Sequence, residues 1–397
     1  MHTSAPLPQR LTWSDLHGQP QHALWHSEAG RPAPQRVQCA DDRMPADAAY
    51  RLVCEGTALL WQGDFFNARH LLDALKRRVD QPRRSGKKPS AAAGTANSPA
   101  AQFHQQRQKQ ARRAQLLGSL LVLVDGAYRI PLRRAPDVHA ACCAAWGEPG
   151  PGSAPRVLAL RELLGIVSAY EWRKSGVPIA ALQALGGYAR IHPHYGVFSP
   201  VRGEYVDLVA QAPLPVEAQQ LAWDIGTGTG VLAAVLARRG VAQVVATDMS
   251  PRALACAQDN FERLGVTAQV QSIEADLFPP GQAPLIVCNP PWLPVRASTP
   301  LEQAVYDPES RMLRGFLAGL AAHLQPGGEG WLILSDLAEH LGLRTRTELL
   351  QWIQDAGLAV AGRLETTPRH GRAQDARDPL HAARAAEITA LWRLVVR

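Results

Sequence analysis

From Leu221 to Val396, short apolar runs alternate with segments whose apolar residues repeat at helical spacing. Strands are expected over residues 221–225, 242–247, 268–273, 285–288, 330–334, 358–364 and 387–396. Helices are expected over 231–239, 251–264, 311–324 and 347–356. Strands separated by crossover helices imply an α/β fold, a twisted and mainly parallel sheet covered on both faces, here closing with an antiparallel strand. Ligands in such a sheet bind in the loops beyond the carboxyl ends of the strands.

The first of these loops reads Asp224-Ile225-Gly226-Thr227-Gly228-Thr229-Gly230. Alternate glycines let the backbone turn sharply and approach a ligand before a helix begins. A dinucleotide fingerprint needs a further glycine where Val231 stands, and Asp224 would repel a pyrophosphate, so an NAD-dependent oxidoreductase is disfavoured. The acid suits a cationic ligand, such as the sulfonium nucleoside S-adenosylmethionine. Asp248 follows the second strand, where a carboxylate accepts ribose hydroxyls, with Met249 beside it. Asp276 follows the third and is placed to accept an adenine amino group, with Leu277 and Phe278 as apolar cover. Each acid alone is equally a turn or helix-cap carboxylate; three at successive strand ends form a set.

The fourth strand ends in Cys288-Asn289-Pro290-Pro291-Trp292. An amide or aromatic amine is a poor nucleophile because its lone pair is delocalised. The side-chain oxygen of Asn289 and the carbonyl of Pro290 would accept its two N–H bonds and orient the nitrogen for attack. Pro290 and Pro291 stiffen the turn, and Trp292 offers a flat face for a planar acceptor. Cys288 is expected to face the core.

The glycine loop, Thr247-Asp248-Met249-Ser250-Pro251, Glu274-Ala275-Asp276-Leu277-Phe278 and Asn289-Pro290-Pro291-Trp292 together resemble class I S-adenosylmethionine-dependent methyltransferases. Within them the chain is most similar to the "methyltransferase small" superfamily, which includes HemK-like glutamine methyltransferases and ribosomal RNA guanine methyltransferases. Gly196-Val197-Phe198-Ser199-Pro200 resembles the segment ahead of the glycine loop in the RNA enzymes, and Tyr306-Asp307-Pro308 a Tyr-Glu-Pro stretch of the HemK-like ones. The resemblance covers roughly residues 190–365 and implies a Rossmann-like seven-stranded class I methyltransferase sheet. It also implies S-adenosylmethionine as cofactor. Trp292 stands where glutamine and adenine enzymes usually have Tyr, and the N-terminal half does not look like the short helical substrate domain of HemK-like proteins.

That N-terminal half is expected to be mostly helical. A helical hairpin is read over residues 45–61 and 65–78, with Asp64 as cap of its second arm. Residues 81–102 collapse to Pro, Ser, Ala, Gly, Lys and Arg, a flexible linker composition, and a Gln/Arg-rich helix follows. A short hairpin is expected at 120–124 and 128–130, and an amphipathic helix at 156–174. The expected organisation is a helical region over 1–80, a basic linker over 81–115, a connecting region over 116–190 and the methyltransferase domain over 191–397. Fourteen Lys and Arg against Asp80 and Asp125 give residues 76–134 a net +12, leaving the rest at −5 within a total of +7. Such density attracts polyanions by counterion release, or simply solvates a linker.

The longest apolar stretch, residues 116–124, is far short of the roughly 20 residues of a membrane span, and the first residues lack the basic and apolar regions of a secretory leader. Six cysteines without framework spacing fit reduced thiols in a cytoplasm. His192 and His194 share a strand face without a third ligand, Cys142 and Cys143 are read as packing, and no metal is expected. The loop 363–384 is read as mobile surface. The function expected is an N-methyltransferase acting on a base in RNA, with a protein glutamine amide of the translation machinery as the alternative. A non-catalytic nucleic-acid-binding protein with a vestigial cofactor pocket is the reading from another class.

Overall fold

The computed structural model describes residues 9–15, 17–81, 98–297, 300–369 and 375–397. Among these the chain divides into two compact units, Met1–Ala96 with Gln105–Glu171, and Asn97–His104 with Trp172–Arg397. The division falls elsewhere than after residues 80, 115 and 190.

The first unit is built on a six-stranded mixed sheet rather than on helices. Its strands are β1 (Arg10–Ser14), β2 (Pro20–Trp25), β3 (Val37–Ala40), β4 (Ala58–Trp61), β5 (Leu120–Val124) and β6 (Arg156–Ala159), in the order β1-β2-β6-β5-β4-β3. The helices are α1 (Ala46–Cys54), α2 (Phe65–Asp80), α3 (Pro99–Leu117, which begins in the second unit), α4 (His139–Trp146) and α5 (Leu160–Ser175, which ends in it). The expected helix over 45–61 is therefore a helix, a turn at Gly56 and a strand. All four residues of β4 are buried, so the strand shows no polar alternation and its apolar residues merge with the stripe of α1. The expected helix over 156–174 likewise opens as β6. Asp64 does cap α2, accepting the Phe66 amide at 2.9 Å. The linker expected over 81–115 lies partly outside the described residues (82–97), and from Pro99 onward it is the helix α3.

In the second unit, β7 (Val177–Pro178) and β8 (Arg190–Ile191) pair around α6 (Ala180–Ala184), and α7 (Glu204–Gln211) leads to the main sheet. Its strands are β9 (Leu221–Ile225), β10 (Gln243–Asp248), β11 (Val270–Glu274), β12 (Ala283–Cys288), β13 (Leu324–Ser335), β14 (Leu358–Thr366) and β15 (Thr389–Val396). Its other helices are α8 (Val231–Arg238), α9 (Pro251–Leu264), α10 (Arg311–His323), α11 (Leu337–His340), α12 (Arg346–Asp355) and α13 (His381–Ala385). The order β11-β10-β9-β12-β13-β15-β14, with β15 antiparallel to both neighbours, is the expected Rossmann-like seven-stranded sheet.

Both faces of this sheet are covered. Ala222, Val244, Val287 and Ile333 pack beneath α7, α8 and α9. Trp223, Ile225, Ile286, Cys288 and Leu332 face α10 and α12. The period of two along β9 sends Ala222 to one layer and Trp223 to the other. Helix α9 starts and stops where its sequence dictates. Ser250 caps it, Pro251 takes the first turn, and Gly265 ends it in the left-handed region at φ +69°. Among the described residues, no helix is long and apolar enough to cross a membrane.

Candidate active site

Four strands deliver their carboxyl ends to one edge. Ile225 pairs with Thr247 on one side and Cys288 on the other, and Asp248 pairs with Glu274. The loops after β9, β10, β11 and β12 thus leave the sheet side by side, and these are the loops that carry the expected site residues.

Gly226, Gly228 and Gly230 have φ of +73°, +55° and +81°, values that side chains rarely adopt. Their surroundings differ. A Cβ on Gly226 would fall 2.5 Å from the Met312 methyl, and one on Gly230 would fall 2.5 Å from the Phe261 ring. A Cβ on Gly228 would meet nothing within 4 Å. The outer two glycines let the loop pack, and the middle one opens a cradle. Asp224 lies beneath this loop, 1% exposed, accepting from the Thr227 hydroxyl at 2.6 Å and the Ala233 amide at 3.1 Å. Burial pushes its carboxyl up to about 6 against those two hydrogen bonds.

Asp248 bridges two loops: it accepts the Gly228 amide at 3.0 Å and the Ser250 amide at 2.9 Å, and burial raises its carboxyl above the ordinary value. Met249 beside it is exposed. Asp276 is exposed and pairs with Arg311 at 2.7 Å. Leu277 holds φ +78°, and its carbonyl accepts the Thr247 hydroxyl at 2.7 Å.

At the end of β12, Pro290 is buried and Asn289, Pro291 and Trp292 are half-buried. The Trp292 indole donates to the Asn289 side-chain oxygen at 2.9 Å, a contact that the sequence did not reveal. It fixes the amide with one oxygen lone pair engaged and the other available. Cys288 is fully buried, facing α10.

Several supporting contacts also escaped the sequence reading. Asp307, 5% exposed, accepts the amides of Met312 and Leu313 at 3.0 and 3.1 Å and so anchors α10. Its own amide donates to the Leu293 carbonyl at 2.8 Å, which ties the segment Tyr306-Asp307-Pro308 to the Asn289 turn. Asn260 donates to the Thr229 carbonyl at 3.1 Å and accepts the His192 amide at 2.7 Å. A polar residue amid Ala253, Ala257, Phe261 and Leu264 on the apolar face of α9 was its available signal. His192 and His194 are structural: His192 contacts the Arg173 carbonyl and the Tyr188 hydroxyl, both at 2.6 Å, and His194 contacts Asp259 at 3.0 Å. Of the segment 363–384 expected to be a mobile loop, Arg363 lies in β14 and stacks over Trp392 at 4.4 Å, residues 381–384 lie in α13, and residues 370–374 lie outside the described residues.

Known proteins resemble this region. A release factor glutamine methyltransferase from Cereibacter sphaeroides is 38% identical over 148 residues, 36% of this chain and 50% of that protein. One from Moorella thermoacetica is 35% identical over 161 residues, 39% of this chain and 56% of that protein. A ribosomal protein L11 methyltransferase from Pelotomaculum thermopropionicum is 45% identical over 69 residues, 17% of this chain and 22% of that protein. The chain thus spans little more than half the length of the two glutamine methyltransferases. Residues 189–342, a segment that includes the glycine loop and the Asn289 turn, match the family described as methyltransferase small domain.

Proposed function

We propose that the second unit is an S-adenosylmethionine-dependent N-methyltransferase whose acceptor is a planar amide, a glutamine side chain in a protein of the translation machinery. The observation that carries this reading is the Asn289-Pro290 turn lying level with the Gly226–Gly230 loop through the pairing of Cys288 with Ile225. The glutamine methyltransferases similar to residues in this region support the amide over a nucleobase.

The residues fit the cofactor. The space beside Gly228 admits a ligand against bare backbone, and Asp224 and Asp248 supply negative charge near it. When bound, S-adenosylmethionine supplies an electrophilic methyl group on a sulfonium. Gly226, Thr227, Gly228 and Gly230 would hold its amino-acid end, Asp248 and Met249 its ribose, and Asp276 with Leu277 its adenine. A cationic ligand would also favour the ionised form of Asp224.

Asn289 and Pro290 act on the acceptor. The free lone pair of the Asn289 oxygen and the Pro290 carbonyl would accept the two amide N–H bonds. That holds the nitrogen lone pair towards the methyl donor and out of conjugation. Pro291 stiffens the turn, and the Trp292 indole holds the Asn289 oxygen and presents its remaining face to the planar acceptor.

One observation favours a base in RNA as a second reading: the basic segment, whose Lys109 and Arg112 are exposed on α3. Label transfer from methyl-labelled S-adenosylmethionine into host-cell protein and RNA fractions separates the two. Label on protein glutamine, lost in Asn289→Ala, is expected. Label in RNA would move the acceptor to a base, and cofactor binding without label in either fraction would overturn the catalytic reading.

A further inference from the structure

Away from the glycine loop, in the first unit, three side chains of different chemistry converge. His139 and Cys143 stand one turn apart on α4, so they share a face. The helix ends at Gly147, whose φ of +83° and ψ of 171° fall in a region essentially restricted to glycine. That turn brings Glu148 back against the same face. The Cys143 sulfur lies 3.4 Å from the His139 Nε2 and 3.4 Å from the Glu148 Oε2, and those two atoms are 4.0 Å apart. The neighbouring Cys142 points the other way and is fully buried, so the two adjacent cysteines are not both packing.

The imidazole is preset. Its Nδ1 is 3.0 Å from the Ala127 carbonyl, which only accepts, so Nδ1 carries a proton and Nε2 is the ring nitrogen that faces the sulfur. The Tyr128 ring, buried, backs the imidazole at 6.2 Å. Metal-bound histidines are held in this manner, with the distal N–H on a carbonyl or carboxylate.

From this geometry we propose that His139, Cys143 and Glu148 form a zinc-binding site, with water as the fourth ligand. Donor atoms around a four-coordinate zinc stand roughly 3.3–3.6 Å apart at ordinary bond lengths, and the three distances here need only small side-chain adjustments to match. One thiolate, one imidazole and one carboxylate select zinc over magnesium or calcium, which prefer all-oxygen shells. On binding, the Cys143 thiol gives its proton to solvent as the sulfur–zinc bond forms. His139 and Glu148 are 46% and 81% exposed, so the ion reaches the site directly from solution. Bound there, it would tie the segment after Gly147 to α4.

The test uses the untagged full chain, stripped with chelator and loaded with zinc or cobalt(II). One zinc per chain is expected by elemental mass spectrometry after gel filtration. The cobalt form is expected to show a thiolate-to-metal charge-transfer band in the near ultraviolet. Cys143→Ser should abolish that band, and both Cys143→Ser and His139→Ala should weaken zinc binding at least about tenfold. Cys54→Ser, which removes an exposed thiol elsewhere, should keep full stoichiometry. Wild-type chain that takes up no stoichiometric metal, or that binds cobalt without the band, would overturn the site whatever the variants do. A folded Cys143→Ser chain with unchanged affinity would do the same.

Discussion

Asp224 is the one acid of the glycine loop, and burial pushes its carboxyl up to about 6 from an ordinary 3.8. Between those values the folded chain keeps a proton that the unfolded chain has lost. Its contribution therefore lowers stability as pH rises from about 4 to about 6. Asp224→Asn retains an oxygen for Thr227 and Ala233 and removes that dependence, on the order of 3 kcal/mol. Urea denaturation at the two pH values checks this, and an unchanged difference between them would contradict it. At the neighbouring turn, Trp292 acts on Asn289 through its indole N–H. Trp292→Phe keeps a ring and loses the donor, so methyl transfer should fall roughly tenfold while cofactor affinity holds. An equal rate would show that Asn289 needs no such support.

Within the elements, Gly230 illustrates why the β9–α8 turn tolerates so little change. Its left-handed backbone meets the Phe261 ring, so Gly230→Ala should cost at least about 2 kcal/mol in thermal or chemical unfolding. A neutral substitution would mean that α9 yields easily. This turn, α9 and the strands β9 to β12 were legible because glycines, caps and apolar runs punctuate them with few ambiguities. Helix α9 matches its expected limits, from the Ser250 cap to Gly265. Of the first unit's strands only β5, Leu120–Val124, matches an expected strand, and the hairpin partner expected over 128–130 is not a strand; the others were not legible. They are four to six residues long, and β4 is buried throughout, so no period separates it from the helix before it. In the site, backbone-driven positions could be read and side-chain pairings could not. The Asn289–Trp292 and Asp276–Arg311 contacts depend on how distant segments and rotamers meet.

For the whole molecule, the second unit is not a simple C-terminal block. Phe103, from the short segment Asn97–His104, is 3% exposed in a cluster with Leu293, Leu337, Leu341 and Leu380. Leu293 directly follows Trp292, so an apparent linker supplies the backing of the Asn289 turn. Phe103→Ala should cost about 3–5 kcal/mol in the unfolding of this unit, followed by denaturant titration; a loss within experimental error would show that the segment is dispensable. Whether the Gly226–Gly230 loop holds S-adenosylmethionine is measured directly by calorimetric titration of the full chain. One equivalent is expected to bind, with no uptake of NAD. At least tenfold weaker binding is expected in Gly228→Asn, a residue that tolerates the left-handed backbone and would fill the open space beside the loop. Absence of S-adenosylmethionine binding by the wild-type chain, or equal binding by a folded Gly228→Asn chain, would contradict cofactor binding at this loop.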